Sequence, residues 1–69
     1  MYSEWIITIG ETGEEKIVWG EESKVDEYKK ENLENGDFGG GFTGRTLGEI
    51  EAIVYGLKKN HPNAVEISL

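Results

Sequence analysis

Sixty-nine residues make one small domain at most, spanning 1–69, and a chain this short buries only about 60% of the surface it exposes when unfolded, so its core is thin. The absence of cysteine excludes disulfide staples, thiolate metal ligands and a cysteine nucleophile. Fourteen acidic against seven basic residues give a net charge of -7, which argues against direct binding of nucleic acid or of an anionic membrane surface.

Tyr2 to Ile9 (YSEWIITI) is rich in aromatic and β-branched residues and reads as a strand. Its alternation puts Trp5, Ile7 and Ile9 on one face and Ile6 and Thr8 on the other. Gly10 to Glu14 is turn material, and Lys16 to Trp19 returns as a second strand, so Tyr2 to Trp19 reads as a β-hairpin. Ser23 is a suitable N-cap for a helix over Val25 to Asn35, stopped at Asn35-Gly36. Only Val25, Tyr28 and Leu33 can face a core from that helix. Gly36 to Gly44 holds five of the ten glycines. It is either a mobile loop or a short strand pinned by Phe38 and Phe42. Thr46 and Glu49 form a capping box for a helix over Leu47 to Lys59, whose apolar face is Leu47, Ile50, Ile53, Val54 and Leu57. Asn60-His61-Pro62 closes it, and Ala64 to Leu69 is a final strand.

The expected fold class is α+β: hairpin, helix, Gly-rich loop or short strand, helix, final strand. One small sheet carries the second helix on one face. The other face, expected to hold Ile6 and Val18, needs the first helix or a second copy of the chain to cover it. The longest apolar runs, Trp5-Ile6-Ile7 and Ala52 to Tyr55, fall far short of the roughly 20 residues that span a bilayer. Met1 to Glu4 does not read as a signal-peptide start, so a cytoplasmic location is expected.

Three patterns bear on chemistry. Gly39 to Thr46 (GGGFTGRT) is similar to a phosphate-binding P-loop with arginine in place of lysine. It follows acidic turn residues, Glu34 to Asp37, instead of a buried parallel strand, so a plain glycine connector before a capped helix is the favoured reading. Thr46 to Ile53 with Val65 to Ser68 resembles the ribonuclease H pattern of a T-x-x-x-E-x-x-A helix leading into a V-x-I strand, with Glu49 or Glu51 near that family's catalytic Glu. The resemblance implies topology alone, because Ile6 to Gly10 carries no Asp and two-metal hydrolysis needs several converging carboxylates. His61, the only histidine, has no partners at metal-ligand spacing and suits a helix C-cap. No cofactor, metal site or catalytic residue is expected.

The remaining signal is acidic. Glu11 to Asp37 contains ten acids against four lysines, a balance of -6 that accounts for nearly all of the net charge. On the first helix Glu27, Glu31 and Glu34 align opposite Val25, with Glu22 and Asp26 on a flank. Carboxylates accept the same charge-assisted hydrogen bonds from Arg and Lys as phosphates do. In size and charge the chain is similar to the small phage-encoded inhibitors that mimic DNA, which are acidic, often dimeric, and occupy the nucleic-acid site of a host protein. That resemblance implies a non-enzymatic protein whose partner is basic and nucleic-acid-binding. The expected contact residues are Glu14, Glu15, Glu22, Asp26, Glu27, Glu31, Glu34 and Asp37, with Trp5 or Trp19 as an anchor if exposed. A homodimer would extend the acidic strip. The alternatives are an interaction or assembly module using the sheet face or edge, and a phosphate or nucleotide binder at Gly39 to Thr46.

Overall fold

The computed structural model describes all of Met1–Leu69. Its order is β1 (Tyr2–Thr8), β2 (Glu15–Glu21), α1 (Glu22–Asn32), β3 (Phe38–Arg45), α2 (Leu47–Asn60) and β4 (Val65–Ser68). The α+β expectation holds, with one four-stranded sheet in the order β3-β1-β2-β4. β1 runs antiparallel to both β2 and β3, and β4 lies parallel to β2.

The hairpin register pairs Thr8 with Glu15, Ile6 with Ile17 and Glu4 with Trp19. Side chains alternate across a sheet, so this register fixes its two faces. Ile17, Ile50 and Val54 are buried together with Tyr2, Ile6, Trp19, Ile53, Leu57 and Ala64 around them, which makes one face the seat of α2. Ile7, Val18 and Val25 are buried on the face covered by α1. The expectation that Ile6 and Val18 share a face is therefore corrected: Val18 pairs with Trp5, one step out of phase with Ile6.

The two helices lie on opposite faces for a topological reason. The connection through α1 carries the chain from β2 past β1 to β3, and the connection through α2 carries it back from β3 to β4. Both join strands that point the same way. Two crossovers of the same hand, travelling in opposite directions across a sheet, must use opposite faces. No second copy is needed to cover the face opposite α2.

Local differences from expectation have local causes. α1 begins at Glu22, not Val25, because it follows directly from β2 with Glu21 as N-cap and no side-chain cap. Ser23 lies within the first turn instead of capping it. The helix ends at Asn32, where Leu33 turns extended, ahead of the expected stop at Asn35-Gly36. α2 opens as read: Thr46 accepts from the Glu49 amide, and the Glu49 carboxylate accepts from the Thr46 amide at 3.2 Å. The glycine-rich segment is a full eight-residue strand. At Gly39 and Gly41 a side-chain carbon would run into the carbonyl oxygens of Ile6 and Glu4, so only glycine lets β3 approach β1 this closely. The strand ends in an irregularity opposite Tyr2–Glu4, where Gly44 takes φ +69°.

Candidate functional site

α1 sets Val25 into the sheet and turns its other side to solvent. Its eleven residues carry four carboxylates and three ammonium groups. Lys29 is drawn inward: its Nζ lies 3.7 Å from the centre of the Trp5 ring and 3.7 Å from Asp26 Oδ1. Asp26, Glu27 and Glu31 are exposed, and Glu22 is half-buried in the first turn. Three adjoining shallow hollows run along this surface. The first is lined by Met1, Glu21, Glu22, Ser23 and Asp26, and the next by Ser23, Asp26, Glu27 and Lys30. The last is lined by Lys24, Glu27, Tyr28, Glu31 and Leu69. Shared Asp26 and Glu27 make them one continuous strip, in which Lys24 and Lys30 interrupt the carboxylates.

The other expected contact residues have separate positions. Glu34 does not align with Glu27 and Glu31 as expected, because α1 ends at Asn32 and Leu33 turns extended; it is exposed in the turn that follows, where its amide donates to Asp37. Glu14 sits at the hairpin turn, 3.9 Å from Lys16. Glu15 is on the α2 face, where its oxygens lie 3.1 and 3.2 Å from His61 Nδ1. Asp37 is a tie between loops: its two oxygens accept the backbone amides of Gly10 and Glu34, each at 3.0 Å. Those two amide bonds hold its carboxyl below the usual range. The structure thus gathers Glu22, Asp26, Glu27 and Glu31 on α1 and leaves Glu15 across the sheet. Neither tryptophan is a free anchor. Trp5 lies beneath Lys29, and Trp19 Nε1 donates to Glu66 at 2.9 Å.

A different carboxyl is the least ordinary group in the molecule. Glu4 is 1% exposed, and neither of its oxygens has a hydrogen-bond partner. On β1 it lies between Trp19 of β2 and Phe42 of β3, on the α2 face. Removal from water raises its pKa from 4.5 to about 7. Its position was legible, since the alternation that selects Ile6 and Thr8 also selects Glu4, though charge alone assigns such a residue to the surface.

The remaining motifs have structural occupations. Gly39 to Arg45 is extended in β3 instead of curled into an anion-binding loop, and the Thr46 hydroxyl is used in the α2 cap. Glu49 serves that cap, and its bonds to Thr46 hold its carboxyl below the usual range. His61 is the C-cap of α2, as its place after Asn60 suggests. No three His, Asp or Glu side chains converge to hold a metal ion, and no helix is long and apolar enough to cross a membrane. No protein-family model matches the chain, and no curated protein or solved structure is significantly similar to it.

Proposed function

We propose that the chain is a non-enzymatic acidic binding protein that occupies the basic site of a nucleic-acid-binding protein, presenting carboxylates where that partner meets phosphates. The observation that carries this reading is the strip that runs from the N-cap Glu21 through Glu22, Asp26, Glu27 and Glu31 of α1, with Lys24 and Lys30 set among the carboxylates. Within it only Asp26 is held in an ion pair. Glu27 and Glu31 are one turn apart, roughly 6 Å along the helix axis, close to the spacing between successive phosphates of an extended strand. Free carboxylates so arranged both steer a cationic surface and accept its hydrogen bonds.

Three measurements on a captured partner test this together. Its retention falls as salt rises, duplex DNA competes for it, and Glu27→Lys with Glu31→Lys releases it while the fold persists, because both side chains are exposed. Retention that ignores salt, DNA and the charge reversal overturns the reading.

A further inference from the structure

The two edges of the sheet are guarded differently. β4 is four residues long, and its Glu66 is engaged by Lys58 at 2.7 Å and by Trp19. β3 is twice as long, every residue of it is exposed, and no charged residue or proline occurs from Phe38 to Gly44. Edge strands in monomers are ordinarily short, charged or interrupted, because an open row of N–H and C=O groups recruits another strand. Phe38 and Phe42 stand 64% and 45% exposed on the α2 side of this edge.

Gly40, between them, is the informative residue. Gly39 and Gly41 are required by the approach of β1, but a side-chain carbon at Gly40 would meet nothing within 4 Å. A glycine there costs backbone entropy on folding and gains nothing within the subunit. Phe38-Gly39-Gly40-Gly41-Phe42 also reads the same in both directions. That symmetry is what an antiparallel pairing of a strand with its own copy requires.

We infer that β3 pairs antiparallel with β3 of a second copy about a twofold axis at Gly40. Phe38 then lies opposite Phe42 of the second copy and Phe42 opposite its Phe38. Gly39 faces Gly41, and the two Gly40 residues face each other. Opposed residues of an antiparallel pair project from the same face, so all four rings gather on the α2 side. The paired Gly40 residues leave an open floor onto which the rings lean, the arrangement in which aromatics shield glycine backbone. Arg45, at the end of β3, lies 3.8 Å from Glu49 of its own subunit and comes abreast of the turn that holds the exposed Glu34 of the second copy, so cation meets acid at both ends. The contact is isologous and closes on itself, giving an eight-stranded sheet bounded by the short β4 strands. α1 packs on β1 and β2, which keeps its carboxylate strip away from the joint. The palindrome and the end charges favour a second copy over an unrelated extended peptide.

The test is mass in solution, from micromolar to millimolar protein, by sedimentation equilibrium. The wild-type chain is expected to rise from the 7.7 kDa of the single chain to twice that mass and no further. Gly40→Lys, which has open space for its side chain, is expected to keep the native circular dichroism and to weaken association at least about tenfold. Phe42→Ser is expected to weaken it as well. Wild-type protein that stays at single-chain mass, grows beyond the dimer, or associates as strongly with lysine at position 40 overturns the inference.

Discussion

The two helices are opposites in construction. α2 has a complete capping box, two buried residues and the main apolar cluster beneath it. α1 has no side-chain cap, a single buried residue and a mostly polar circumference. One helix holds the sheet together while the other rides on it, and the riding helix is the one whose outer surface its own core does not specify. It also locates the weak point of the better-built face, where Glu4 lies buried without a hydrogen bond.

Five substitutions test this contrast. Ile50→Ala opens a cavity in the α2 cluster and is expected to cost about 2–5 kcal/mol in urea unfolding. Val25→Ala, beneath α1, removes less volume and is expected to cost less, about 2 kcal/mol. Equal losses would erase the distinction between the helices.

Glu4 comes next and has a definite sign. Its pKa is raised from 4.5 to about 7 in the folded protein, so the fold prefers the protonated form. The full stability it permits is present below the unfolded value and is lost as pH climbs from about 4.5 to about 7. Each pKa unit corresponds to 1.36 kcal/mol, which makes the loss about 3 kcal/mol. Glu4→Gln is expected to flatten that slope. Asp37, Glu49 and Glu66 have the opposite shift, Glu66 through Lys58 first and Trp19 second. Their contribution is present above the ordinary carboxylate range and fades as pH falls through it. Thermal melts across pH are expected to peak on the mildly acidic side of neutrality, and a wild-type maximum above pH 7 would contradict the burial of Glu4.

The smallest effects separate the helix starts. Thr46→Ala is expected to cost about 1 kcal/mol, because it deletes a working N-cap. Ser23→Ala is expected to stay within about 0.5 kcal/mol, because Ser23 caps nothing.

What could be read from the residues was whatever rests on neighbours in the chain. The Thr46–Glu49 cap, the α2 stripe and the alternating first strand are all local patterns, and each appears in the structure, except that Leu47 of the stripe is 40% exposed at the start of α2 and lies outside the cluster. What could not be read depends on distant groups. Three successive glycines have no strand propensity of their own. Gly39 to Gly41 form a strand only because β1 lies against them. The partition of Ile6 and Val18 between faces depends on the hairpin register, which the turn from Ile9 to Glu14 sets. Of the candidate acidic site, α1's spacing was visible, whereas Glu15 and Asp37 were claimed by His61 and by the Gly10 amide, which sequence order does not bring near.

The β1–β2 hairpin sits at the centre of the sheet, and it is the one strand pair joined by a short turn. Both outer strands must arrive from afar, β3 onto β1 and β4 onto β2. Each arrival requires a long loop to close before any ladder contact compensates for it. The hairpin is therefore expected to be in place when the folding barrier is crossed. Its tight bend uses Gly13 at φ +73°, so Gly13→Ala should slow refolding in stopped-flow traces, whereas trimming β4 with Ile67→Ala should chiefly hasten unfolding.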